Sequence, residues 1–485
     1  MSAENPSAKK GMSFVAQVAA LPWPFWVANI MEMIERLAYY GVRVVIPIYI
    51  AQADEPAGLH FSQADKGFIF MWWALAQSVL PVFTGGFADR YGYKKQIVAA
   101  IALKVSGYLM MATQREFWPF FTGCMLLASG TAVFKPPVQG TFVRTLNEEN
   151  SGVGWGFFYM VVNVGGFLGP PFAHYLYGYS WPMVFYGCAV LVSLNMLWLL
   201  TYKGVDSGSD MSTNVLQVAW ITLRKIVQPR LIIFILIMSA FWAGFTQLFD
   251  MMPNFIVDWV DSSAVAGSFP DFMLSADTSR GPQITQEWMI NLNPFLIIFL
   301  VVPISWFVNK VMRRLSSIFF GMAIAGVGVL MAGSSQGWVM CLGGIACFSL
   351  GEMLSSPKMS EFLGVIAPPG EKALYMGYSN IPFAIGWGYG SFAAGQIYGE
   401  VGEKATLSAR YLTEQLHVTD VPERSQAFAA LLERTGWSAG EATERLWTMY
   451  DPSAVWTPFA IGIGVAAVAL LVYNQFAKRW EDVNA

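Results

Sequence analysis

The sequence has little charge. Only 13% of its 485 residues are Asp, Glu, Lys or Arg, about half of the roughly 25% found in a soluble domain. That scarcity excludes an ordinary soluble enzyme. Disorder is excluded as well, because a disordered chain needs low hydrophobicity and high net charge, and here 55% of residues are apolar. The net charge of −3 supplies no basic surface for nucleic acid. Cysteine and histidine are also scarce, with four and three residues. Cys124, Cys188, Cys341 and Cys347 sit in apolar runs without CxxC spacing, so they read as small buried hydrophobes. His60, His174 and His417 are too scattered for a metal site. No Walker-type glycine loop and no nucleophile signature is present. The chain therefore does not read as an enzyme or a nucleotide-driven pump, and no cofactor is expected.

What the sequence has in abundance is long apolar runs. A membrane helix needs about 20 mostly apolar residues. Twelve stretches qualify: 23–51, 66–88, 96–114, 117–143, 152–176, 181–202, 230–258, 287–309, 316–333, 338–366, 375–399 and 455–477. No cleavable signal peptide is read before the first. With the N-terminus inside, 16 Lys and Arg residues fall on the cytoplasmic side and 8 outside. The positive-inside rule thus places both termini in the cytoplasm. The expected fold is all-α: twelve transmembrane helices in two six-helix halves, in the cell membrane. The halves are 1–202 and 230–485, joined by a cytoplasmic linker at 203–229. Within the linker, 212–228 is expected to form a surface helix. An extracytoplasmic insert at 401–453 reads as a small helical cap broken at Pro422 and Gly436.

Between the second and third spans runs Gly85-Gly86-Phe87-Ala88-Asp89-Arg90-Tyr91-Gly92-Tyr93-Lys94-Lys95. Gly92 permits a tight turn, and Asp89 can offer a carboxylate to helix N-terminal amides. The run resembles the major facilitator loop signature G-x-L-A-D-R-x-G-R-K. This resemblance implies a cytoplasmic gate loop built on Gly85, Asp89, Arg90 and Gly92, and two six-helix halves suit the same carrier fold.

The first span carries charges that do not belong in lipid. Glu32, Glu35, Arg36, Tyr39 and Arg43 recur at helical spacing and share one face. Each charge at the bilayer centre costs about 2.5–3.5 kcal/mol on the insertion scale, so this face must look onto protein or a water-filled cavity. The run Glu32-x-x-Glu35-Arg36-x-x-Tyr39-Tyr40-Gly41 resembles the E-x-x-E-R-F-x-Y-Y-G signature of proton-dependent oligopeptide transporters, with Leu37 in place of Phe. Further resemblances follow in order along the chain: Phe134-Lys135-Pro136, Phe158-Tyr159-x-x-Val162-Asn163-x-Gly165, Phe241-Trp242 with Gln247, Asn293-Pro294, and Gly351-Glu352.

The resemblance implies a proton-coupled symporter for di- or tripeptides or peptide-like solutes, driven by a proton gradient, with Glu32, Glu35 and Arg36 coupling protons to transport. A zwitterionic substrate needs separated opposite charges. Arg43 and Lys135 are candidates for its carboxylate and Glu352 for its amine. Tyr39, Tyr40 and Asn163 offer neutral hydrogen bonds, and Trp387 an apolar wall. The seventh span departs from the family pattern, with Thr246 in place of Glu. Asp250, one turn later, is a candidate for the proton role or for neutralising Lys104 or another base. Lys104 itself belongs to no motif and reads as a paired or snorkelling lysine. Two alternatives stay open: a related carrier or exporter for another small anionic or zwitterionic molecule, and a receptor that binds without transporting. Nothing demands a partner chain, so a monomer in the bilayer is expected.

Overall fold

The computed structural model describes residues 13–147, 149–203, 205, 228–275, 279–367, 375, 377–477 and 479. The expected linker at 203–229 lies largely outside the described residues, as does its surface helix at 212–228 except for Gln228. The described residues form helices and turns, with two isolated β-bridges and no strand. Lipid allows little else, because a spanning backbone must satisfy its hydrogen bonds internally.

The first part of the chain holds α1 (Phe14–Ala19), α2 (Trp23–Ala51), α3 (Gln63–Tyr91), α4 (Tyr93–Thr113), α5 (Phe117–Thr145), α6 (Ser151–Tyr177) and α7 (Trp181–Thr201). The second opens with α8 (Pro229–Phe245), α9 (Gln247–Asp250), α10 (Met252–Trp259), the short α11 (Ser263–Ala266), α12 (Gln286–Ile290) and α13 (Leu292–Val311). Then come α14 (Arg314–Gly333), α15 (Trp338–Val365) and α16 (Asn380–Ile397). The cap comprises α17 (Lys404–Glu414), α18 (Ala427–Thr435) and α19 (Ala439–Tyr450), before the final α20 (Thr457–Ala477). Among the described residues, nine helical stretches are long and apolar enough to cross a membrane. Three further long helices fall outside that set. The α2 helix carries four charged residues near its middle, and α16 is rich in glycine.

Two expected spans are interrupted. The stretch 230–258 is broken at Thr246 and Met251. Pro253 has no N–H, so the carbonyl of Phe249 loses its helical donor. Arg43 of α2 donates to that carbonyl instead, at 3.3 Å. The stretch 287–309 begins as α12 and restarts at Leu292. The turn in the gate motif is also tighter than a loop. The α3 helix runs on to Tyr91, α4 begins at Tyr93, and only Gly92 lies between, at φ +90°. Gly85, Asp89 and Arg90 therefore stand in the last turns of a helix. The expected contact of the Asp89 carboxylate with helix amides lies outside the described residues.

Buried apolar side chains form two large clusters, one drawn almost wholly from residues 21–202 and the other from 231–477. The two parts meet where α3 packs on α16, α6 on α13 and α2 on α10. Hydrogen bonds between them gather at the end of the bundle that carries the cap. Arg424 donates to the carbonyls of Ala51, His60 and Phe61 and pairs with Glu403. Gln52 donates to Asp258 at 2.9 Å, and Lys66 to Asn254 at 2.7 Å. His174 and Tyr177 of α6 both reach the carboxylate of Glu287 on α12. Burial alone would raise the Asp54 carboxyl here. The Lys404 ammonium and the Gln52 amide outweigh burial and hold it below the usual range. Burial does push the Glu403 carboxyl up, although Arg424 pulls the other way.

Candidate functional site

A cavity of about 180 Å³ lies between the two parts of the bundle. Every residue expected at a substrate lines it: Tyr39, Tyr40, Arg43, Lys135, Asn163, Glu352 and Trp387. Arg36 lines it as well. Glu32, Glu35 and Asp250 do not line it; they stand behind it as buried ion-pair partners.

Lys135 is placed by two adjacent prolines. Pro136 and Pro137 inside α5 remove the helical donors to Ala132 and Val133. Thr84 of α3 donates to the Ala132 carbonyl at 3.0 Å, and Gln96 of α4 to that of Val133 at 3.0 Å. Neighbouring helices thus take up the freed backbone groups, as membrane helices with proline require. Among the described residues Lys135 makes no hydrogen bond or ion pair, so its ammonium is uncommitted in the cavity wall. Across the cavity, Glu352 accepts from the Asn293 amide at 2.9 Å and has no ion-pair partner among the described residues. One unpaired base and one unpaired acid therefore face a common space from opposite parts of the chain.

Arg43 is not free in the same way. It pairs with the buried Asp250, which also accepts from Ser391 and from Thr246 at 3.2 Å. Asp250 thus neutralises Arg43 rather than Lys104. Its guanidinium also lies 4.3 Å from the Phe70 ring centroid. Arg36, in the wall, pairs with Glu35 and, at 3.3 Å, with Glu32, both behind it. Glu35 takes a second base, Lys104 of α4. Asn163 turns back to the carbonyl of Tyr159 at 2.8 Å. The buried indole N–H of Trp387 has no hydrogen-bond partner among the described residues, an unspent donor beside the cavity. At the far end of α15, Lys358 bonds both Asn309 and Glu361, and Arg314 bonds Glu361 at 2.6 Å.

Sequence reasoning did not pair Lys104 with Glu35, Lys66 with Asn254 or His174 with Glu287. For Lys104 a signal existed, since a lysine at membrane depth needs an acid and α2 supplies two. For the other two pairs there was none.

Residues 28–391 match the profile of the Major Facilitator Superfamily. The chain belongs to the Major Facilitator Superfamily. It is a multi-pass membrane transporter. A curated relative of this facilitator is the multidrug resistance protein MdtH of Proteus mirabilis (strain HI4320), 23% identical over 399 residues, covering 82% of this chain and 91% of the relative. Solved structures of POT-family transporters share its fold. A peptide transporter POT in complex with sulfate superposes with a TM-score of 0.67 at 16% identity, over 96% of this chain and 98% of the other. A POT-family transporter in complex with 5-aminolevulinic acid superposes with a TM-score of 0.64 at 15% identity, over 90% and 99%.

Proposed function

We propose that this facilitator is a proton-coupled symporter for di- or tripeptides or peptide-like zwitterions, working by alternating access. The observation that carries the reading is the opposed pair Lys135 and Glu352, without ion-pair partners among the described residues and facing one cavity. Lys135 takes the substrate carboxylate and Glu352 its amine. A substrate that bridges both parts of the bundle favours closure around itself, because it binds the closed form better. Tyr39, Tyr40 and Asn163 supply neutral hydrogen bonds, and Trp387 a wall with one free donor. Arg43 joins the carboxylate site when Asp250 takes a proton and lets it go. Glu32 and Glu35, with Arg36 as the base that pairs their ionised form, couple protons to transport together with Asp250.

The chain reads as twelve spans in two halves, 1–202 and 230–485, joined by the 203–229 linker, with both termini cytoplasmic and the 401–453 insert outside. In that orientation the contacts at the cap end close the outside, and Gly85, Asp89, Arg90 and Gly92 form the cytoplasmic gate. Function as a monomer is part of the same proposal.

A second reading, export of larger amphiphiles, is favoured by the MdtH relatives. Cavity size weighs against it: about 180 Å³ is below the roughly 300–1,000 Å³ of sites for drug-sized ligands. Uptake of labelled dialanine into proteoliposomes, with and without an inward proton gradient, tests the proposal. Gradient-dependent accumulation is expected. Dialanine-independent efflux of a cationic dye would favour the second reading.

A further inference from the structure

Lys104 stands outside every motif that resembles the peptide-carrier family, yet it is among the most deeply buried charges in the chain, at 1% exposure. Its ammonium pairs with one oxygen of Glu35, itself fully buried, while Arg36 occupies the other oxygen. Its Nζ lies 5.2 Å from the centroid of the Phe134 ring. The fold makes room for it. A Cβ on Gly130 of α5 would come within 2.6 Å of Lys104 Cγ and 3.0 Å of its backbone nitrogen. Glycine at 130 is therefore the condition for the lysine to run between α4 and α5 toward α2.

Charge counting gives this placement its meaning. Glu32 and Glu35 against Arg36 and Lys104 make a neutral group of four. Lys135, one residue beyond Phe134, is the surplus base, and it lines the cavity beside Arg36. Without Lys104 the group would carry a net negative charge, and Lys135 would be drawn into it. The titratable groups around these four are Tyr39 and Tyr40 on α2, Tyr108 on α4, Lys135 on α5 and Cys188 on α7.

We infer that Lys104 is a positioning residue for proton coupling: with Arg36 it holds the Glu35 carboxylate ionised, and so leaves Lys135 free for an anionic group in the cavity. This rests on the symport reading above. The test is chosen to stand apart from it, because it needs no substrate.

The test is an infrared pH titration of the full-length protein in lipid, with the Glu35 carboxyl band identified by its loss in Glu35→Gln. In Lys104→Met the protonated band is expected to appear at higher pH than in the wild type. A shift of about one to three pH units is expected, the usual effect of an opposite charge at contact distance. Lys104→Arg keeps the charge and is expected to titrate like the wild type. A Lys104→Met band that titrates as in the wild type overturns the inference. If Lys104→Met fails to reach the membrane, Glu35→Gln/Lys104→Met removes one charge of each sign and is expected to be recovered. Loss of both variants would mean a packing role and overturn the inference too. Absence of dialanine uptake by the wild type would defeat the symport reading alone and leave this titration intact.

Discussion

At the scale of single residues, what matters is which charges are spent and which are not. Arg43, Arg36 and Lys104 each have a buried acid in contact. Lys135 and Glu352 have no ion-pair partner among the described residues, and they face one cavity. A hydrogen bond to a charged group contributes about 1.5–3 kcal/mol, and 1.4 kcal/mol is tenfold in affinity. Lys135→Met and Glu352→Gln are therefore each expected to raise the KM for dialanine about 10- to 100-fold in proteoliposome uptake. Asp250→Asn has a different effect. It leaves Arg43 buried without a counter-charge, a loss of about 3–5 kcal/mol for a broken buried pair. A lowered unfolding temperature is expected, with partial recovery in Arg43→Gln/Asp250→Asn. Part of the cavity wall was legible in the sequence, because helical spacing puts Arg36, Tyr39 and Arg43, which line it, on one face with Glu32 and Glu35, which stand behind. Pairing was not legible. Lys104 and Glu35 lie 69 residues apart, and His174 and Glu287 lie 113 apart. No local period connects such positions.

At the scale of elements, proline and the cap do the shaping. Pro253 breaks the seventh expected span and frees the Phe249 carbonyl for Arg43. The sequence shows the proline but not which neighbour takes the freed carbonyl. The cap was legible as helices, and its break at Gly436 has φ +69° as a left-handed turn needs. Its fastening was not legible, since Arg424 reaches backbone carbonyls more than 360 residues away in sequence. Arg424→Ala leaves Glu403 buried without its base. Faster hydrogen exchange is expected across 404–450 and 52–62, with partial recovery in Glu403→Gln/Arg424→Ala. Two carboxyls at this end are shifted in opposite senses. Glu403 is raised, so protonation favours the closed end as pH falls through its folded value toward about 4.3. Asp54 is lowered, so its contribution is full above about 3.9 and is lost as pH falls through its lower folded value. Hydrogen-exchange protection of the cap end is therefore expected to rise on mild acidification and fall again below about pH 4. Glu403→Gln is expected to reduce the rise and leave the fall in place.

At the scale of the whole molecule, two apolar cores meet across a polar cavity that is fastened at the cap end. The all-helical class and the carrier fold were legible from scarce charge and long apolar runs. The broken seventh span shows where that legibility stops, because hydropathy reports burial in lipid and not the continuity of a helix. The central claim is that opposed charges in the cavity bind a small zwitterion whose movement is coupled to protons. It is tested most directly by uptake of labelled dialanine into proteoliposomes with an inward proton gradient, with and without a protonophore. Accumulation above the external concentration, abolished by the protonophore and by Glu35→Gln, is expected. Equilibration that ignores the gradient, or no dialanine entry at all, contradicts the claim.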